Sequence, residues 1–123
     1  MKIAVTSLGE DLSSGIDGRF GRCDYFVIVD PETLDYEAIP NQSKNAIGGA
    51  GPAAAQTVAG SGVTAILTGN VGPNAYRALS SAGIEIYTGS SGTVKDAVRD
   101  FNEGNLSKTE GSTTPGGGGK RRR

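Results

Sequence analysis

Gly51-Pro52 opens a stretch that closes at Gly62 and runs into Val63-Thr64-Ala65-Ile66-Leu67-Thr68-Gly69, and Gly72-Pro73 opens another that closes at Gly83 and runs into Ile84-Glu85-Ile86-Tyr87-Thr88-Gly89. Each unit reads as a helix followed by a short apolar strand, with glycine at the corners. Strands joined through helices run parallel, because a crossover of that length returns the chain to the same end of the sheet. Parallel strands gather their exits, and the helix N-termini that follow, along one sheet edge. That edge is a natural place for an anion.

The remaining elements follow from local pattern. Lys2 to Ser7 reads as a buried strand and Tyr25-Phe26-Val27-Ile28-Val29 as a second, aromatic and β-branched. Asp30-Pro31-Glu32-Thr33 is a turn, and Asp35 to Pro40 an edge strand. Leu8 to Arg22 and Asn41 to Gly51 read as glycine-containing loops. Pro52 suits the first position of a helix, since its missing N–H has no partner there in any case. After Pro73, the residues Ala75, Ala78, Leu79 and Ala82 recur at helical spacing, with Gly83 placed as a C-terminal stop. Thr93-Val94-Lys95-Asp96 resembles a capping box, and Val94, Ala97, Val98 and Phe101 form a third apolar stripe. The order β-β-β-α-β-α-β-α predicts an α/β fold with a mixed five-stranded sheet flanked by helices.

The 123 residues suffice for one core, with 36% hydrophobic and 20% charged residues, as in a soluble globular domain. No run of about 18 apolar residues is present to span a membrane. The first residues are too short an apolar stretch for a signal peptide, and a single Cys fits a reducing, cytoplasmic setting. Residues 1–106 are expected to fold, and the Ser/Thr/Gly-rich segment 107–123 to form a disordered tail with a basic end. The last four residues carry +4, so a net charge of −1 for the whole chain leaves −5 on residues 1–119. That acidic body argues against nucleic-acid binding. The basic tip reads first as a solubilising tail and second as a contact for an acidic partner or nucleic acid.

On this topology the loop after the first strand, the start of the second strand and the later glycine turns share the sheet edge. Arg19, Arg22 and Lys44 then face one crevice with two or three helix N-termini, a positive pocket on an acidic protein. The plainer reading is that the glycines only make turns and the arginines are solvated. Cys23 is a lone thiol and the chain has no His. One Cys cannot build a structural zinc site. It is either a small core residue or, with its pKa lowered by neighbouring arginines, one ligand to a cluster. The absence of His excludes Ser/His and Cys/His catalysis. No phosphate-binding P-loop occurs, because Gly48-Gly49-Ala50-Gly51 is too short and lacks the lysine. The first strand carries no carboxylate, which excludes a metal-dependent nuclease that would need one there.

Three segments together resemble a known family: Gly18-Arg19-Phe20-Gly21-Arg22-Cys23-Asp24-Tyr25-Phe26-Val27-Ile28-Val29-Asp30, then Gly49-Ala50-Gly51, then Thr68-Gly69-Asn70-Val71-Gly72-Pro73-Asn74-Ala75. They are similar to the dinitrogenase iron–molybdenum cofactor biosynthesis family (NifX/NafY/NifB C-terminal-like), over about residues 1–104 and as a small stand-alone member. The resemblance implies a ribonuclease-H-like fold. It also implies non-enzymatic binding or carriage of an iron–sulfur-type cluster or an iron–molybdenum cofactor precursor, with metallocofactor assembly proteins as partners. Arg19-Phe20-Gly21 matches the cofactor-facing motif, where nitrogenase-associated members often have His-Phe-Gly. Arginine stays protonated and is no metal ligand. Arg19 and Arg22 would therefore hold the cluster's charge, with Cys23 as a substitute ligand. Gly21, Gly49, Gly51 and Gly72 would admit the backbone, and the turn through Asn70 and Asn74 would cap the cluster with N–H groups. The alternatives are an adaptor docking on a cluster-carrier ATPase, and a phosphate or nucleotide binder using the same edge.

Overall fold

The computed structural model describes residues 1–46 and 48–111. A six-stranded mixed sheet runs through the molecule in the order β3-β2-β1-β4-β5-β6. The central strand β1 (Ile3–Ser7) pairs in parallel with β4 (Ala65–Leu67), which pairs in parallel with β5 (Glu85–Thr88). On its other side β1 pairs antiparallel with β2 (Tyr25–Val29), and β2 antiparallel with β3 (Tyr36–Pro40). The directions match the expectation that early hairpins and later crossover units share one sheet.

The inner strands β1, β2 and β4 are buried because the residues on both faces are apolar. Ala4, Phe26, Ile28, Ile66 and Ile86 face one layer, and Ile3, Val5, Val27, Val29, Ala65 and Leu67 the other. The first face packs against α1 (Ala50–Gly60) and α2 (Pro73–Ser81) through Ala54, Ala55, Val58, Ala75 and Leu79. The second packs against α3 (Val94–Asn102) through Val94, Ala97 and Val98. Complete burial of each Val, Leu or Ile contributes about 1.5–3 kcal/mol relative to exposure. No described helix is long and apolar enough to cross a membrane.

The helix ends follow the local chemistry. Gly83 sits at φ 77°, its N–H bonds Ser80 O, and the Ile84 N–H bonds Leu79 O, the paired bonds of a Schellman stop. The Thr93 side chain caps the Asp96 N–H while Asp96 caps the Thr93 N–H, so the capping box forms with Asp in place of Glu. Pro73 opens α2, as expected. Pro52 does not open α1, which begins two residues earlier at Ala50. Pro52 therefore stands in the third helical position, still within the first turn, where helix N–H groups have no intrahelical acceptor.

The strand count is corrected. The sheet has six strands rather than five: β6 (Ser107–Lys108) pairs antiparallel with β5, so the chain beyond 106 continues into the sheet. Thr109 N–H donates to Ile86 O at 2.7 Å, the Thr88 and Thr109 hydroxyls bond each other, and Lys108 Nζ lies 3.7 Å from Glu85 Oε2. The pattern was missed because two residues are too few to show a period. The glycine run and the basic end of the tail lie outside the described residues. Leu8 to Arg22 is a loop, as expected, and it is stitched across the sheet edge. Leu8 N–H bonds Gly15 O, Ile16 N–H bonds Gly92 O and Asp17 N–H bonds Thr6 O, at 2.9, 2.9 and 3.1 Å.

Candidate functional site: the edge of the parallel strands

The exits of β1, β4 and β5, the start of β2 and the end of β3 share one edge, since Ser7 lies opposite Tyr25 and Tyr25 opposite Pro40. Each parallel strand leads from this edge into a helix or, after β1, into the segment 8–24. The topology thereby gathers the expected site residues on one side of the molecule.

Arg19 is exposed, with its side chain 67% accessible. It is not a free charge. Its Nε and Nη2 donate to Asp17 Oδ1 and Oδ2 at 3.1 and 3.2 Å, and its backbone N–H donates to Asp17 Oδ1 at 3.0 Å. The Asp17 hydrogen bonds and charge hold the guanidinium pKa above its ordinary value. Asp17 was not singled out in the sequence; the signal was its position two residues before Arg19, a spacing at which Asp commonly bonds the backbone ahead of it. Lys44 is also paired, with Nζ 2.5 Å from Asp24 Oδ1, and Asp24 raises its pKa. Arg22 differs: its Nη1 donates to Lys44 O at 2.6 Å and Ala46 O at 2.8 Å, and it has no carboxylate partner among the described residues. Three cations thus stand beside two carboxylates, and the edge is less positive than the cations alone suggest.

The three helix N-termini are not equivalent. That of α3 is closed: Val94 N–H bonds Ser14 O, Lys95 N–H bonds Leu12 O, and Thr93 caps Asp96. Gly49 before α1 and Gly72 before α2 provide no side-chain cap, and neither helix has an acidic residue in its first turn. The partial positive charge of these two N-termini is left to other acceptors. Gly49 holds the left-handed conformation at φ 74°, whereas Gly72 is extended. A shallow depression of about 360 Å³ beside the two first turns is lined by Pro52, Asn74, Arg77, Ala78 and Ser81. Asn74 Oδ1 accepts from Arg77 Nη2 there at 2.7 Å.

Several expected ligand contacts are spent on the protein itself. Phe20 is a core residue, 5.5 Å from the Phe26 ring, and anchors the loop from inside. Gly21 lets the loop backbone approach α1, since a Cβ there would meet Gly51 N at 3.0 Å. Gly51 in turn lets α1 approach α2, because its Cβ would lie 2.9 Å from Ala75 Cβ. The Asn70 N–H donates to Gly18 O at 2.8 Å, so it is committed to the loop and not offered to a cluster.

Cys23 is fully buried, which agrees with its reading as a small core residue and not with that of an arginine-activated thiolate. Its Sγ–H donates to Phe20 O at 3.3 Å. Burial, reinforced by the Asp17 charge, pushes its pKa up to about 12. Asn41, also missed in the sequence, holds this strand end through Nδ2 bonds to Gly21 O and Cys23 O at 3.1 and 2.9 Å. No group of three or more His, Cys, Asp or Glu among the described residues is arranged to hold a metal ion. The donors on this edge fit an anion accepted through N–H groups better than a metal ligated by side chains.

The chain is similar to several known proteins. The apo form of the orange protein from Desulfovibrio gigas superposes with a TM-score of 0.89 at 41% identity, over 92% of this chain and 96% of that one. A NifB-like protein from Thermotoga does so with a TM-score of 0.81 at 37% identity, over 94% and 98%. A protein of Methanocaldococcus jannaschii is 35% identical over 113 residues, 89% of this chain and 92% of that one. The family model described as dinitrogenase iron-molybdenum cofactor matches residues 1–104, and the chain belongs to that family.

Proposed function

We propose that the protein is a non-enzymatic carrier of an anionic iron–sulfur-type cluster or an iron–molybdenum cofactor precursor, acting in cofactor assembly. The observation that carries the reading is the pair of helix N-termini without side-chain caps at the edge that also bears Arg19 and Arg22. Backbone N–H groups and guanidinium forks match the acceptor-rich surface of a sulfide cluster. The cluster is cargo in this reading, held by hydrogen bonds and charge. Cys23 is not offered to it, because the side chain is fully buried and its Sγ–H is committed to Phe20 O. Family membership supports the cargo's chemical class.

The test is anaerobic reconstitution with ferrous iron, molybdate and sulfide, followed by metal and sulfide analysis per chain and a visible spectrum. Near-stoichiometric uptake that is lost in the Arg19→Glu/Arg22→Glu variant is expected. A chain that stays colourless would favour the second reading, an adaptor that docks on a cluster-assembly ATPase. The committed state of Arg19, Lys44 and Cys23 is what supports that alternative. Calorimetry with nucleotides in the absence of metal separates both from a phosphate or nucleotide binder.

A further inference from the structure

Asp17 is an acidic side chain only 3% exposed, yet it sits at a site read as anion-binding. A buried carboxylate is costly unless paired and hydrogen-bonded, and here both oxygens are used on Arg19, by the backbone N–H, Nε and Nη2. The backbone on either side is also fixed: Asp17 N–H donates to Thr6 O at 3.1 Å, Thr6 Oγ1 donates to Asp17 O at 2.6 Å, and the Thr6 and Thr68 hydroxyls bond each other at 3.0 Å. Asp17 thus stands against the buried end of β1, whose Thr6 also bonds Thr68 just after β4, while the guanidinium it grips is mostly exposed. The bidentate pair occupies two of the five N–H donors of Arg19. It fixes the guanidinium plane and leaves the other three N–H groups on an exposed side chain.

We propose that Asp17 is a positioning residue: its buried carboxylate holds Arg19 as an oriented hydrogen-bond fork, so that an anion at this edge is held by direction more than by net charge. The inference rests on the carrier reading of the edge. It reverses the sign expected from simple electrostatics. Removing a negative charge from an anion site should tighten binding, whereas removing an orienting group should weaken it.

The experiment titrates the full chain anaerobically with a synthetic iron–sulfide cluster dianion ligated by 2-mercaptoethanolate. Asp17→Asn is expected to weaken binding about tenfold, the scale of one oriented charge-assisted fork. Binding that is unchanged or tighter overturns the proposal. Arg19→Lys keeps the charge, lacks the fork and changes an exposed side chain, so it stands should Asp17→Asn fail to fold. It is expected to lose about as much, and wild-type affinity in it also overturns the proposal. An NMR measurement of the Arg19 Nε–H in the cluster-free protein keeps the two readings apart. A resolved, slowly exchanging signal that collapses in Asp17→Asn supports positioning even if the wild type takes up no cluster, in which case the carrier reading alone fails. A rapidly exchanging Nε–H in the wild type overturns positioning whatever the titration gives.

Discussion

A thiol and an arginine four residues apart behave oppositely to what their neighbours in sequence suggest. Arg19 and Arg22 precede Cys23, but burial rather than cationic charge sets the thiol, and its pKa rises from 9.0 to about 12. The folded state therefore favours the protonated form. Its contribution to stability is complete below pH 9 and is lost as pH climbs towards 12, with a slope of at most about 1.4 kcal/mol per pH unit. Denaturant titrations from pH 8 to 11 are expected to show that decline, and Cys23→Ala to abolish this part of it. A thiol reagent at pH 8 should label the native chain at the rate of global unfolding; fast labelling would place Cys23 at the surface. Arg22 anchors the loop between β3 and α1 through two carbonyls. Arg22→Ala is expected to speed amide exchange across residues 42–46 while leaving β1 and β4 protected. These roles were hidden in the sequence because a string of letters shows which charges are near in the chain. It does not show which carbonyls the fold brings to them.

At the scale of elements, the glycines and caps were legible in kind but not always in purpose. Thr93 and Asp96 were recognisable as a capping box because the bonds are local, and Thr93→Ala is expected to cost about 1 kcal/mol in denaturant melts. Gly51 was expected to admit a ligand, and the fold gives it a packing role: it admits α2. A methyl group there would stand 2.9 Å from Ala75 Cβ, too close to keep without moving a helix. Gly51→Ala should therefore destabilise the chain by about 1–3 kcal/mol through overpacking. Gly51→Ala/Ala75→Gly should recover most of that loss, since it exchanges the methyl between the two helices. No recovery in the double variant would mean that Gly51 is needed for its backbone and not for its contact. The contact joins residues 51 and 75, which no local pattern links. The same limit explains α3: its sequence shows a helix start, but only the fold places Ser14 O and Leu12 O on its N–H groups and closes it to anions.

Over the whole molecule, the strand directions were readable because helix length between strands forces parallel pairing, and the shared edge followed from that alone. The sixth strand was not readable, because β6 is defined by its neighbour and not by its own residues. It covers the outer side of β5 with a backbone bond from Thr109 to Ile86, a hydroxyl pair and a rim ion pair between Lys108 and Glu85. The ion pair is half-exposed and contributes little. Each hydrogen bond contributes about 0.5–1.5 kcal/mol net. A chain ending at Leu106 keeps the packing of Leu106 on the α3 face and loses these contacts together with the pairing of Ser107 and Lys108 on Thr88 and Tyr87, so its thermal midpoint should fall by a few degrees. The larger consequence is the bared edge. β5 would then present unpaired N–H and C=O groups on a parallel strand, a template for pairing with a second copy. Sedimentation of the truncated chain is expected to show concentration-dependent association that the full chain lacks at the same concentration. Amide exchange should locate it, with Ile86 and Thr88 losing protection in the dilute truncated chain and regaining it on concentration. Association in which those amides stay open would assign the contact to another surface, and a truncated chain that remains monomeric would mean that β5 needs no cover.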